Sequence, residues 1–417
     1  MSTVRTGLDR LSDPGFRPPG TGRIGLLCNA TTVDARWRPT AEAIHALPGI
    51  RLERIFSPQH GFAAEKQDNM IESRHGSHPS LGIPIVSLYG ERRTPTPDQL
   101  EGLDAILIDL PDVGTRVYTF LVTALLLLRA AHAQGIPVAV LDRPNPIGGA
   151  VEGPVLDDAF RSFVGIVDVP LRHGLTAGEY CLYGSFRLGL IDEAEAERSA
   201  AAARRDAPFT RWLSVVRAAG WSRADMFDAT GLPWTPPSPN MPALETALVY
   251  PGQVALEGTN LSEGRGTTRP FELCGAPFLD PPVLRTALEA SQERGETAID
   301  GAILREVAFE PTFHKFAGET IRGFQIHVVD RARFRPVRCT TALLSAIRRL
   351  YPDRLVWRPP PYEYEQDRMP IDLIYGTDSV RHGLDSGADW REIEGTWQEG
   401  RRAYRERVRP HLLYEKS

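Results

Sequence analysis

Across its first third the chain alternates short apolar runs with stretches whose apolar residues recur every three or four positions, and this alternation restricts the fold more than any other feature. The runs are Arg23 to Cys28, Leu52 to Phe56, Ile83 to Leu88, Ala105 to Asp109 and Val138 to Leu141. Each is short and apolar at successive positions, the pattern of a strand covered on both faces of a parallel sheet. Between them, Thr40 to Leu47 and Thr119 to Gln134 carry helical spacing, and Gly135 stands where the second helix must stop. The alternation predicts an α/β protein with a Rossmann-like, doubly wound parallel sheet, whose ligands bind beyond the carboxyl ends of the strands.

Polar residues gather at those ends. Asn29 follows the first run, Ser57-Pro58-Gln59-His60-Gly61 the second and Tyr89-Gly90 the third. Asp112 to Tyr118, with Arg116 between, follows the fourth, and Asp142-Arg143-Pro144-Asn145 the fifth. A further cluster, Arg172-His173-Gly174-Leu175-Thr176, leads into a helix whose Thr176 and Glu179 have capping-box spacing. Neither GxGxxG after the first strand nor GxxxxGK[ST] is present, so the sheet lacks a phosphate-cradling loop and no cofactor is expected. Pro233 to Pro242, which includes Asn240, has too many prolines for helix or central strand. It reads as a rigid connector and marks a domain boundary between 1–240, which holds the parallel sheet, and a smaller α+β domain, 241–417. In the second domain Leu304 to Phe309 and Phe324 to Val329 read as strands, Thr340 to Leu350 as a helix and Trp390 to Tyr414 as terminal helices.

The segment Glu257 to Glu272 packs carboxylates, guanidiniums, an amide, hydroxyls and glycines together without core periodicity. Glu257, Asn260, Glu263 and Arg265 are its candidate ligand-binding residues. The glycines let a backbone approach a ligand, and charges of both signs suit a hydroxyl-rich substrate bearing a carboxylate. Arg116, Arg143 and Arg265 are the natural carboxylate forks, Tyr118 is placed to pack against such a ligand, and Lys315 beside His314 can close the cleft from the second domain. Asp142, Asn145, His173 and Asn240 serve equally well as loop and turn anchors, and Glu257 as an arginine's salt-bridge partner. Nucleic acid is not an expected partner, because 48 basic and 53 acidic residues are interspersed without a basic stripe. Cys28, Cys181, Cys274 and Cys339 have no metal or redox spacing, and no HxxxH or HExxH occurs, so no metal is expected. The longest apolar stretch is too short to span a bilayer and the first residues lack a signal-like apolar region, which predicts a cytoplasmic protein without a membrane partner. Oligomeric state is not encoded in any readable motif.

In order along the chain, Asp142 to Gly149, Glu152 to Leu156, Arg172 to Thr176, Pro237 to Pro242, Glu257 to Glu272 and Pro311 to Lys315 resemble the exo-lytic β-N-acetylmuramidases of the NamZ type. The resemblance runs from about Thr6 to the C-terminus. It implies a Rossmann-like domain joined to an auxiliary α+β domain with the site in the cleft between them, and a glycoside hydrolase that releases N-acetylmuramic acid from the non-reducing end of peptidoglycan fragments, in cell-wall salvage or turnover. The family pattern after the second strand is Pro-Glu-His-Gly, with the glutamate as prime catalytic candidate, whereas this chain has Pro58-Gln59-His60-Gly61. An amide cannot donate the proton that glycoside cleavage requires. Three arrangements fit the sequence. Glu65 in the same loop takes over as acid; Gln59, with His60, orients water or substrate while Asp112 or Glu263 acts; or the protein binds amino sugars or muropeptides without hydrolysing them. The otherwise complete set of polar segments favours a retained enzyme.

Overall fold

The computed structural model describes residues 4–13, 16, 22–67, 70–207, 209, 211–290 and 297–415. The first strands are β1 (Arg23–Leu27), β2 (Arg51–Ser57), β3 (Gly76–Ser77), β4 (Pro84–Ser87), β5 (Ala105–Ile108) and β6 (Val138–Leu141). A separate antiparallel hairpin, β7 (Glu152–Val155) and β8 (Pro170–Arg172), precedes β9 (Leu213–Val216). The main sheet has the order β3-β4-β2-β1-β5-β6-β9, parallel except for the short edge strand β3.

Successive strand residues face opposite sides, and here both sides are apolar. Ile24 and Leu26 of β1 enter one core with Ala105 and Leu107 of β5; Leu27, Ile106 and Ile108 enter the other. The helix Phe120–Ala133 covers the second face with Phe120, Leu121, Leu125 and Leu128. Each such side chain contributes on the order of 1.5–3 kcal/mol by leaving water. The chain winds from β1 out through β2 and β4, then returns to β5 on the other side of β1. That reversal opens a crevice over the carboxyl ends of the strands.

The second, smaller sheet is antiparallel, with β12 (Ile321–Val328) between β10 (Leu273–Ala276) and β11 (Ala302–Phe309). The helices Leu244–Gln253 and Pro336–Leu350 pack on each other beside it. The α/β class with a smaller α+β portion, expected from the sequence, is therefore what the chain forms. One apolar cluster runs without a break from the face of the main sheet to Leu343, Tyr375 and Trp397, so the two portions share a core. The stretch 232–243 has no regular structure, as its prolines require. Among the described residues no helix is long and apolar enough to cross a membrane.

Arg116, expected to face substrate, instead fastens these parts together. Its guanidinium is fully buried and donates to the carbonyls of Pro154 (3.3 Å), Val169 (3.0 Å) and Ile374 (2.8 Å). Ile374 lies in the last turn of the helix Pro370–Tyr375, where a cation is favoured. Burial pulls the Arg116 pKa down to about 10, so the charge survives at neutral pH. Arg116→Met strands three buried carbonyls and should lower the unfolding free energy by about 3 kcal/mol. Denaturant titration checks this, and a loss under about 1 kcal/mol contradicts the fastening role.

Candidate active site

One pocket collects polar side chains from both portions of the chain. Gln59 and His60 enter it directly after β2, and Tyr118 after β5. Asn240 comes from the proline-rich connector and Tyr250 from the helix Leu244–Gln253. Glu257, Arg265 and Phe271 come from the glycine-bearing segment before β10, and Tyr362 and Glu363 from a turn before the helix Pro370–Tyr375. The glycine-bearing segment is interior rather than a surface loop. Gly266, at φ +81°, lies so close to Phe313 that a Cβ would stand 2.5 Å from that residue's carbonyl oxygen.

Arg265 is buried between two carboxylates. Its Nη2 donates to Glu257 at 2.8 Å, and its Nε lies 3.5 Å from Glu263. Tyr362 donates to the other Glu257 oxygen at 2.8 Å. The paired carboxylates outweigh burial and raise the Arg265 pKa. Its Nη1 is buried with no hydrogen-bond partner among the described residues. Beside it stand three rings in edge-to-face contact, Tyr118 on Tyr250 (6.1 Å) and Tyr250 on Phe271 (4.7 Å).

Across the pocket, the Gln59 amide accepts from the Thr119 hydroxyl and donates through Nε2 to Glu363 Oε1 at 3.1 Å. The Tyr89 hydroxyl donates to Glu363 Oε2 at 2.8 Å. Burial is the largest influence on Glu363 and raises its pKa to about 7, with Glu257 adding to the rise and both hydrogen bonds opposing it. Glu363 sits in a two-residue turn closed by reciprocal 2.9 Å bonds between Tyr362 and Glu365, and both central residues have positive φ, Glu363 at 44° and Tyr364 at 70°. Turns of this kind ordinarily take Asn-Gly. Two side-chain-bearing residues there cost roughly 1–2 kcal/mol each, and the Arg93 guanidinium over the Tyr364 ring helps to hold them. His60 is also left-handed, at φ 73°. Its Nδ1 lies 2.8 Å from the Lys66 carbonyl, which can only accept, so Nδ1 carries the proton and Nε2 offers a lone pair. Burial lowers its pKa to about 4, leaving a neutral imidazole.

Several residues expected at the site have other work. Arg143 grips Asp109 with two donors, the Nη2 contact at 2.8 Å, and gives Nη2 also to the Val33 carbonyl at 3.1 Å. It lines a separate pocket with Asp112, Pro144, Pro146, Phe227 and Trp234. Asp112 closes its own turn by accepting from Gly114 N–H at 2.8 Å, and lies 3.3 Å from buried His173. Asn29 accepts from Thr31 and donates to Pro237, and Asn145 accepts from Ile147 and donates to Leu175, so both amides shape loops. Asn260 spans the Arg354 carbonyl and Val356 N–H outside the pocket. Glu263 is fully buried against Lys315 (2.9 Å) and His314 (3.2 Å); the Lys315 charge and the His314 hydrogen bond hold its carboxyl far below the ordinary range, so it cannot be an acid at neutral pH. Lys315 spends its remaining donors on the Leu256 and Leu261 carbonyls. Glu65 points to solvent with its side chain 51% exposed and lines a different depression; Asp68 and Asn69 beyond it lie outside the described residues. Tyr89 was placed at a strand end without a role, and Tyr250, Tyr362 and Glu363 were not foreseen; the sequence signal for the last two is the unusual run Pro359 to Glu365. No cluster of three potential metal ligands occurs among the described residues.

A parallel-sheet portion and an auxiliary α+β portion enclosing a carboxyl-lined pocket define a Rossmann-like protein with a small-molecule cleft between its parts. The chain belongs to the exo-β-N-acetylmuramidase NamZ family: the family's N-terminal profile matches residues 24–245 and its C-terminal profile residues 248–414. It is 34% identical over 415 residues to the peptidoglycan beta-N-acetylmuramidase NamZ of Bacillus subtilis (strain 168), covering 99% of this chain and 91% of the relative. The crystal structure of a DUF1343 family protein from Bacteroides fragilis matches with a TM-score of 0.84 at 28% identity over 99% of both chains. A second protein of that family and organism, 23% identical, shares the fold over the full length of both chains with a TM-score of 0.71.

Asp142, expected to touch substrate, is instead a buried anchor. It accepts from Thr176 (2.7 Å), Gly178 N–H (2.8 Å) and Tyr414 (2.7 Å), and burial lifts its pKa to about 7 against those bonds. Between about pH 4 and 7 the unfolded carboxyl is ionised while the folded one keeps its proton, so stability falls as pH rises through that window. Asp142→Asn should remove up to about 1.4 kcal/mol per pH unit of this slope. Denaturation at pH 5, 6 and 7 tests it, and an unchanged slope contradicts the assignment.

Proposed function

We propose that this chain is an exo-acting β-N-acetylmuramidase, a glycoside hydrolase that removes N-acetylmuramic acid from the non-reducing end of peptidoglycan fragments in cell-wall salvage or turnover. Arg265 carries the reading. N-acetylmuramic acid differs from N-acetylglucosamine by a lactyl carboxylate, and a buried guanidinium whose Nη1 is uncommitted is the group that recognises such an addition. Glu257 and Glu263 hold the fork in place, while the rings of Tyr118, Tyr250 and Phe271 offer an apolar wall to the sugar's C–H face. Gln59, His60 and Glu363 stand across from that wall, where the glycosidic oxygen would lie. Asn240 adds an amide at the rim.

We take 1–240 and 241–417 as the domains flanking the cleft, a division supported by the irregular proline-rich connector. We place the reaction in the cytoplasm, which four free, buried cysteines support.

Incubation with a MurNAc-GlcNAc disaccharide should liberate free MurNAc, and a GlcNAc-capped fragment should be cut far more slowly. Equal cutting of both, or no product from either, contradicts the proposal. Arg265→Lys keeps the charge and loses the planar fork. It should weaken binding of MurNAc about tenfold or more, with GlcNAc affected only a few-fold; calorimetry showing equal losses on the two sugars would remove the carboxylate clamp.

A further inference from the structure

Gln59 stands where the family pattern read from the sequence has a glutamate, its prime catalytic candidate, and its amide nitrogen donates across the pocket to a carboxyl from the far end of the chain. We propose that Glu363 is the catalytic acid of this chain, presented by the strained Tyr362–Glu365 turn to the place that the family glutamate would serve, with Gln59 and Tyr89 as the residues that position it. The inference rests on the muramidase reading.

Three independent observations carry it. The first is geometry: Gln59 Nε2 at 3.1 Å and Tyr89 Oη at 2.8 Å fix one oxygen each, and every carboxyl oxygen has a second lone pair, so a proton can sit on the pocket side. The second is backbone strain. Glu363 and Tyr364 both occupy the left-handed region that glycine favours, and strain of this kind collects where function requires a side chain in one place. Among the described residues Glu363 N–H reaches only the Met70 sulfur, at 3.4 Å, so the turn is not held for its own backbone bonding on that side. The third is electrostatic surroundings. The charged and titratable groups facing Glu363 are Tyr89, Glu257, Tyr250, Tyr362 and Arg93. Burial and the Glu257 charge prevail over Arg93 and the two hydrogen bonds, so the carboxyl keeps its proton up to near neutral pH, as a general acid must. The other carboxylates of the neighbourhood are excluded by their partners: Glu257 by Arg265 and Tyr362, Glu263 by Lys315 and His314.

The Gln59 amide also has a reason to be there. Two carboxyls 3 Å apart cannot both ionise and would share one proton. With an amide at 59, donating to Glu363 and itself fixed by Thr119, a single carboxyl does the titrating. In the reaction the Glu363 proton passes to the glycosidic oxygen, and the C1–O bond breaks with its electron pair leaving on the aglycone, which departs as an alcohol. Water then adds its oxygen to C1, and its surplus proton is taken by the Glu363 carboxylate, so the acid is restored and only water is consumed.

The test compares Glu363→Gln, Gln59→Glu and the double variant on the MurNAc-GlcNAc disaccharide, whose leaving group needs protonation, and on 4-nitrophenyl β-N-acetylmuramide, whose leaving group needs it far less. Glu363→Gln should lose about 10² to 10⁴ in kcat/KM on the disaccharide and less than about tenfold on the nitrophenyl glycoside, with MurNAc affinity nearly unchanged. The unmodified protein's kcat/KM on the disaccharide should fall as pH rises through about 7. The double variant Gln59→Glu with Glu363→Gln keeps the amide–carboxyl pair with the partners exchanged. It should recover most of the lost disaccharide turnover, and it stands in if Glu363→Gln alone does not fold. Glu363→Gln retaining disaccharide turnover within a few-fold, losing both substrates equally while still binding MurNAc, or an inactive double variant would each overturn the proposal. Failure of the underlying muramidase reading looks different: the unmodified protein then cleaves neither substrate.

Discussion

The contact between Gln59 and Glu363 joins residues 304 apart in sequence and closes the pocket from both sides. One partner is delivered by the end of a parallel strand, the other by a turn whose backbone no local preference would choose. Tyr89 and Arg93, from the segment after β4, reach the same turn from a third direction. Without that convergence the first portion would carry an open crevice with an amide at its edge, and the second a buried glutamate with nothing to do.

Two kinds of buried charge serve two purposes in this molecule. Arg116, Arg143 and Lys315 have most of their donors taken by carbonyls or by one carboxylate, and so act as fasteners between segments. Arg265 and Glu363 are held on some sides and left open on another. A group held but not saturated costs stability in the empty protein, since its desolvation is only partly offset. The shared apolar core, which runs from the main sheet to the terminal helices, supplies the rigidity that keeps such groups in place.

Much of the fold was legible because continuous apolar runs and period-three-to-four patterns are local: β1, β2, β4, β5, β6 and the helix Phe120–Ala133 fall where those patterns place them. β7, β8, β9 and β10 were not, since they lie beyond the alternation of the first third that marks the others. Of the residues expected at the site, Gln59, His60, Tyr118, Asn240, Glu257 and Arg265 line the pocket; they were legible because they follow strand ends, sit among glycines or, for Asn240, lie in the proline-rich connector. Arg143, Asp142, Asn145 and Lys315 share that kind of position, and only three-dimensional bonding shows that they face inward to the scaffold. Glu363 could not be read at all. Its turn contains no glycine or asparagine, and positive φ at a glutamate and a tyrosine is imposed by tertiary contacts rather than announced by composition.

The most direct measurement of this account is a crystal structure of the protein with N-acetylmuramic acid bound. The lactyl carboxylate is expected within hydrogen-bond distance of Arg265 Nη1, the ring against Tyr118, Tyr250 or Phe271, and the anomeric carbon on the side of Gln59 and Glu363. A sugar seated instead in the Pro144, Phe227 and Trp234 pocket beside Arg143, or one bound with its carboxylate away from Arg265, would contradict it.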